Sequence, residues 1–543
     1  MRSRGMIEGA VAVAGFSALT AILTYPLAFQ LGSVAYRPDA ADGQFSIWNV
    51  AWVARALLRD PLGVFNANIF HPERGTLAYS EANLGSGLLA VPVYWATGNA
   101  YAAHSFVVLL SFLFSALATY YLIRYLVADR LAAAVGAIGF AFAPHVFAHL
   151  LHIQLLWTAG LPFGLLMYHR LVDRPTVTRG VALGIGVSAQ LYLCAYYGVF
   201  LVLVVGAFAM WNTCYRRLWR AWPFWRALVV GAVVSVVATL PLIIPVLAFQ
   251  RSTAFVRPVE SSLLFSANWA AYFASSATAH SWLLAYLPRW NEVLFPGFVV
   301  LGFGALGLFA GTRSQALRET TLTYLGLCVL AVWASFGPAA GLYAWLYAAF
   351  PPLMLMRAPS RFGVVALLTC VVLSGVGMAR FSWRTRWPGL AGAVLLVAAV
   401  TEHVVPLAFV PPPGPHPAYL RLAALPTGPL LEVPVYSHRA QFLRARYMLA
   451  STIHWMPLVN AYSDYEPPAF QRRLDIYGGF PSHDALRELA RDRVRYVLIH
   501  LDAFDAQGRP ALESGLREFA ADLQPLYADS DTRLYELVSY ADP

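Results

Sequence analysis

Apolar runs of about 20 residues, the length that crosses a bilayer core, recur along most of this chain. They fall near 8–31, 103–123, 131–149, 153–171, 227–249, 292–311, 319–336, 360–379 and 388–407. A further run, 181–211, is 31 residues long, too many for one ordinary span. Its centre, Cys194-Ala195-Tyr196-Tyr197-Gly198, has the small and polar character of an outer turn and divides the run into two helices. The count is then about eleven transmembrane helices. Between the first two runs lies a polar excursion containing two helix-like stretches. Residues 43–59 carry Trp48 and Trp52 in line with Arg55 and Arg59, a pattern that suits a helix lying in a membrane interface. Residues 84–97 are short for a span and broken by Pro92, so they read as a second interfacial or re-entrant helix.

The pattern changes at Pro411. PPPGPHP is a semi-rigid proline linker. Beyond it LLEVPVY and YVLIHL read as buried strands, HDALRELARD as a helix and RLYELV as a last strand. Two domains follow: a transmembrane module over 1–410 and an α/β domain over 411–543. No internal repeat is visible.

Composition agrees with this class. The chain is 59% hydrophobic and 12% charged, with a mean hydropathy of +0.58. Roughly twice that charged fraction is usual in soluble domains. The net charge is +10 and all 38 basic residues are arginine. They cluster in alternate short loops: Arg124 and Arg130; Arg170, Arg174 and Arg179; Arg216, Arg217, Arg220 and Arg226; Arg313 and Arg318; Arg380, Arg384 and Arg386. With Arg2 and Arg4, this is a positive-inside distribution, not a nucleic-acid-binding surface. It predicts a multi-pass protein of the cytoplasmic membrane with its N-terminus cytoplasmic and its C-terminal domain extracytoplasmic. A cleavable signal peptide ending near Ser33-Val34-Ala35 is the alternative for the first run, but the run is long for one, which favours a retained helix. Cys194, Cys214, Cys328 and Cys370 lie in or beside apolar runs and form no disulfide framework or CxxC spacing.

Candidate chemistry gathers on the predicted outer side. Asp39 and Asp42, in PDAADGQFSIWN, follow the first span and precede an amphipathic stretch. An acid at a membrane boundary is a functional candidate when it faces a cavity, and equally a helix N-cap. Asn66, His71, Glu73 and Glu81 are further polar candidates in the same excursion, each also readable as a solvated loop residue. Arg357 and Arg361, in PPLMLMRAPSRFG, run against the positive-inside trend. Guanidinium groups at i and i+4 beside a helix entrance suit a lipid-linked phosphate, with interfacial snorkelling as the alternative. Arg251, just after a span, is a weaker candidate of that kind, and Tyr196 and Tyr197 in the predicted outer turn are candidate substrate contacts. His145, His149 and His152 have spacings that put them roughly on one helix face. Such spacing can hold a divalent metal such as zinc if other ligands join it; hydrogen bonding at the membrane surface is the alternative. His500-Leu501-Asp502 at a strand end reads as solvated edge chemistry.

The motifs resemble those of the GT-C superfamily of integral membrane glycosyltransferases, which includes protein mannosyltransferases and oligosaccharyltransferases. The resemblance rests on a first span followed at once by the acidic loop Asp39–Asp42, two outer helices and a multispan core. It is nearer still to bacterial members that share phrases like DGQFSIWNVAW, IFHPERGTLAYS, FAFAPHVFAHLLHIQLLW, RAPSRF and VRYVLIH. It covers most of residues 1–380. It implies an inverting hexosyl- or pentosyltransferase of the cell envelope that takes sugar from a polyprenyl-phosphate carrier to a hydroxyl of a glycan, lipid or protein acceptor. It implies general-base duty for Asp42, without excluding Asp39; an adjacent Asp-Asp or Asp-Glu pair is missing here. No cofactor is required by the pattern, and a divalent metal stays open. A transporter or flippase of lipid-linked glycans would carry charges inside spans and often internal repeats, and a non-catalytic scaffold could keep the same fold.

Overall fold

The structure, a computed structural model, describes residues 2–381 and 387–538. It divides into two compact units: Met1–Gln30 with Phe106–Ala408, and Leu31–Ser105 with Phe409–Pro543. The excursion that carries Asp42 is thus grouped with the C-terminal segment, whereas the sequence reading grouped it with the apolar runs.

The first unit is helical. Every predicted apolar run contains helix, and among the described residues six segments are long and apolar enough to cross a membrane. They are Gly5–Leu23, Ala100–Val127, Arg130–Ala148, Ala195–Tyr215, Trp222–Thr253 and Pro359–Arg380. The other runs give shorter or less apolar helices, including Gly160–Asp173, Val177–Leu193, Phe298–Arg313, Arg318–Ser335 and Pro388–Glu402. Local breaks account for some of the shortening. Residues 157–159 interrupt the run at 153–171, and the helix of the 292–311 run starts only at Phe298, behind Gly297 at φ +94°. The split of 181–211 falls where the sequence put it. Cys194 is extended, at φ −156° and ψ 111°, between Val177–Leu193 and Ala195–Tyr215. Arg384 and Arg386 lie outside the described residues.

Two devices hold these helices. Glu8, an acid inside the first apolar run, accepts from Arg124 at 2.9 Å, Arg130 at 2.7 Å and the Tyr120 hydroxyl at 2.9 Å. One partly exposed carboxylate thereby ties the first helix to two later ones, and the three donors satisfy its charge. The second device is backbone proximity. A Cβ at Gly307 would overlap the Leu373 carbonyl, and one at Gly377 the Phe303 carbonyl. Phe298–Arg313 and Gly363–Arg380 therefore touch backbone to backbone, as small residues permit between membrane helices.

The second unit is α/β. Besides the short pair β1 (Ala35–Tyr36) and β2 (Phe409–Val410), its main sheet joins β3 (Leu430–Val433), β4 (Tyr496–His500), β5 (Leu523–Ala528) and β6 (Thr532–Leu537) in the order β3-β4-β6-β5. β3 and β4 are parallel, and the other pairings are antiparallel. All four residues of β3 are buried, as are Tyr496–Ile499 of β4, which explains their unbroken apolar runs. β5 has only a half-buried, polar-interrupted pattern and is not evident in the sequence. A two-residue pairing of Ala35–Tyr36 with Phe409–Val410 adds a second contact between the excursion and the C-terminal segment.

The helix Ala41–Arg59 is packed within this unit. It does not lie on a surface by its tryptophan face: Trp48 is fully buried and Trp52 nearly so. Both indole N–H groups find acceptors, Trp48 at Asn68 Oδ1 (3.1 Å) and Trp52 at the Val64 carbonyl (2.9 Å). Asn68 in turn donates to Ser451 Oγ and to the Met456 carbonyl, each at 3.1 Å. The helix Leu84–Thr97 packs beside it and keeps Leu88 and Trp95 exposed.

Asn68 is buried and uses both ends of its amide, so truncation strands three partners. Replacing one side of buried hydrogen bonds costs about 1–3 kcal/mol for each group left unpaired. Asn68→Ala should lower the thermal midpoint of the purified chain by several degrees and speed proteolysis within 31–105. An unchanged midpoint and digestion pattern would show that this amide does not hold the excursion.

Candidate functional site

Asp42 stands in the first turn of Ala41–Arg59. The N-cap position is held by Ala40, so neither Asp39 nor Asp42 occupies it. Asp42 is half-buried, and its Oδ1 accepts from the Tyr462 hydroxyl at 3.2 Å. The first-turn N–H groups favour an acid at this place. Asp39 is exposed, in the turn before the helix. Gln44 donates to the Pro38 carbonyl at 3.0 Å and stiffens that turn.

Tyr462 belongs to AYSDYEPP, a segment that the sequence reading did not single out. It is held edge-on against Phe45, with ring centroids 6.0 Å apart, one helical turn from Asp42. Two residues on, Asp464 accepts from the Ser80 hydroxyl at 3.1 Å, beside Glu81. Glu81 also uses its backbone carbonyl, which accepts from Asn49 Nδ2 at 3.2 Å and Asn83 Nδ2 at 3.3 Å. The 462–464 segment therefore touches both the acidic loop and the Glu81 loop. Its available signal was a cluster of acids and tyrosines in polar sequence far downstream.

Other candidates in this unit have structural partners. His71 Nε2 bonds the Asp492 carbonyl at 2.9 Å, and Asn66 Oδ1 accepts from the Gly75 amide at 3.0 Å. His500 is no solvated edge residue. Its Nε2 lies 2.7 Å from Oε2 of the fully buried Glu432 on the neighbouring strand, and the Tyr419 hydroxyl donates to the same oxygen at 2.8 Å. Burial first, and then the adjacent Glu432, push the Tyr419 phenol well above its ordinary range, so it remains a donor. Asp502 is exposed.

In the helical unit, Arg357, Arg361 and Tyr196 come together. The Arg361 guanidinium lies over the Tyr196 ring at 4.1 Å, and the Tyr196 hydroxyl accepts from the Arg357 backbone amide at 3.0 Å. The Arg357 guanidinium stands 5.0 Å from the Phe265 ring centroid. Both arginines precede the helix Gly363–Arg380, which follows the tight turn Pro359–Phe362. Phe362 stacks on Phe200 at 3.9 Å and fixes that entrance. The outcome is two cations, held by aromatic faces, at a helix N-terminus, the local chemistry that binds an anion. The cluster does not include Arg251, which is exposed in the last turn of Trp222–Thr253. Tyr197 is fully buried and donates to the Leu155 carbonyl at 3.3 Å, a packing role. Arg257, not foreseen, enters the neighbourhood by donating its backbone amide to the Met354 carbonyl at 3.0 Å.

The histidine group is also in the helical unit. His145 and His149 have ring centroids 4.5 Å apart and share the carboxylate of Glu292, which no motif had linked to them. His152 is set further off, 6.0 Å from the His149 ring centroid.

No family model matches the chain, and no curated protein matches it. Among solved structures it is similar to ArnT from Cupriavidus metallidurans bound to undecaprenyl phosphate. That likeness has 14% identity, covers 98% of this chain and 99% of that chain, and has a TM-score of 0.49. The apo state of the same protein gives 13% identity over the whole of both chains and a TM-score of 0.46. The apo oligosaccharyltransferase of Archaeoglobus fulgidus gives 10% identity over 91% of this chain and 69% of that one, with a TM-score of 0.48.

Proposed function

We propose that the chain is an inverting membrane glycosyltransferase. It moves a sugar from a polyprenyl-phosphate carrier to a hydroxyl acceptor on the extracytoplasmic face. The observation that carries this reading is Asp42 itself: an acid in a first helical turn, past the N-cap position and oriented by a tyrosine hydroxyl that donates to its Oδ1.

Each step has a residue. The acceptor oxygen attacks the anomeric carbon on the face opposite the phosphate. Its proton passes to the Asp42 carboxylate as the new C–O bond forms. The bond from the anomeric carbon to the phosphate oxygen breaks, and its electron pair leaves with the polyprenyl phosphate. Arg357 and Arg361 are the proposed contacts of the carrier phosphate in the helical unit, where fixed cations can stabilise a phosphate anion. Tyr196 positions both arginines, and Tyr462 positions Asp42. A positioned general base is worth about 10²–10⁴ in rate, and inversion follows from the single displacement.

Sugar transfer from a defined polyprenyl-phosphate donor, in detergent, tests the assignment. Asp42→Asn should lower transfer by at least about 10² with unchanged expression and monodispersity, whereas Asp39→Asn should stay within a few-fold. Full activity in Asp42→Asn removes that residue from the mechanism. Arg357→Ala and Arg361→Ala should each weaken the response to the donor, and added polyprenyl phosphate should inhibit them less than the wild type. Equal inhibition in all three would exclude these arginines as the phosphate contacts.

A further inference from the structure

Three groups from two distant parts of the helical unit converge on one point. His145 and His149 lie on the short helix Pro144–Ala148 and at its C-cap, and Glu292 lies in the irregular segment before Phe298. One ligand atom from each lies within 4.8 Å of the other two. His145 Nδ1 is 3.3 Å from Glu292 Oε1, and His149 Nε2 is 3.7 Å from Oε2. Ligand atoms on one tetrahedral zinc, at bonds of roughly 2.0–2.1 Å, stand about 3.3 Å apart. The two histidine–carboxylate distances approach that spacing, though to different oxygens of Glu292, so a small side-chain adjustment brings one atom of each group onto a common ion.

The protonation pattern agrees. His149 Nδ1 donates to the His145 carbonyl at 2.8 Å, which leaves the Nε2 lone pair directed to the Glu292 side. Such an outer hydrogen bond fixes the tautomer and aim of a metal-ligating imidazole. Glu292 is oriented by the Val293 amide, which donates to Oε1 at 3.0 Å. The decisive group is His145. It is 1% exposed; Nε2 has no hydrogen-bond partner, and Nδ1 has only its 3.3 Å approach to Glu292, without hydrogen-bond geometry. A buried nitrogen without a well-formed hydrogen bond is costly, and a metal–nitrogen bond at Nδ1 would remove that cost there.

We propose that His145, His149 and Glu292 form a zinc site. Two imidazoles and one carboxylate suit zinc among the available divalent ions, whereas magnesium and calcium prefer all-oxygen sets. Three protein ligands leave a fourth position. An open cavity of about 320 Å³, lined by Ala148, His149, Trp290, Asn291, Glu292 and Val293, lies against the ligands and admits water to it. The ion clamps the 290–297 segment to the end of the helical pair at 144–149. The assignment does not depend on the glycosyltransferase reading, and His152 is outside the ligand set.

The test is metal analysis of the full-length protein, purified in detergent, loaded with zinc and desalted. The expected result is one zinc per chain, retained in an excess of magnesium. His149→Ala and Glu292→Gln should lose it, while His152→Ala keeps it. No bound zinc in the wild type, or undiminished zinc in both ligand variants, overturns the site. Cobalt loading of the wild type needs no variant and guards against misfolding as the cause of metal loss. Visible absorption of a low-coordinate cobalt centre, displaced by one equivalent of zinc, supports the site, and the weak spectrum of octahedral aqueous cobalt refutes it.

Discussion

A single buried amide carries the order of the acidic loop. Asn68 accepts from the Trp48 indole and donates to Ser451 and Met456, so one side chain joins the helix Ala41–Arg59, the excursion and the C-terminal segment. Its partners are themselves buried, and buried polar groups must be paired. That requirement converts an otherwise loose polar stretch into a rigid support. With the helix fixed through Trp48 and Trp52, its first turn is fixed as well, and with it the position of Asp42 relative to Tyr462. The C-terminal segment is thus part of the machinery that presents the acid.

The arginine cluster follows a different logic. Arg357 and Arg361 are positioned through aromatic faces and one hydroxyl, contacts that hold the guanidinium planes in place. Phe362 on Phe200 makes the helix entrance rigid. Carboxylates within the helical unit are likewise matched to donors: Glu8 by Arg124 and Arg130, and Glu319 by Arg216 at 2.6 Å. In both cases the cation comes from a loop that the positive-inside pattern had already marked, so those arginines also serve packing.

Much of the fold was legible because it rests on local periodicity. The apolar runs, the division at Cys194 and the buried strands β3 and β4 each leave a mark in consecutive residues. The runs were less informative about length, because breaks such as 157–159 depend on tertiary packing. The burial of Trp48 and Trp52 was not legible either. An amphipathic helix looks the same whether its apolar face meets lipid or protein. The sites show the same division. Asp42, Arg357, Arg361, His145 and His149 stood out by residue type and placement, but their partners lie far away in sequence. Tyr462 is 420 residues from Asp42, and Arg357 is 161 from Tyr196. Glu292 sits at the edge of an apolar run with nothing around it to suggest histidine partners. Separations of this kind leave no periodic trace, and only the folded chain reveals them.

The central claim is that Asp42 removes the acceptor proton. It is tested most directly by the pH dependence of kcat/KM for sugar transfer, compared between the wild type and the residual activity of Asp42→Asn. A general base must be ionised to act, so the wild-type rate should fall on the acid side with a single protonation. In Asp42→Asn that acid limb should vanish, leaving a low and flat profile. The same acid limb persisting in Asp42→Asn would contradict the account and assign the base to another group.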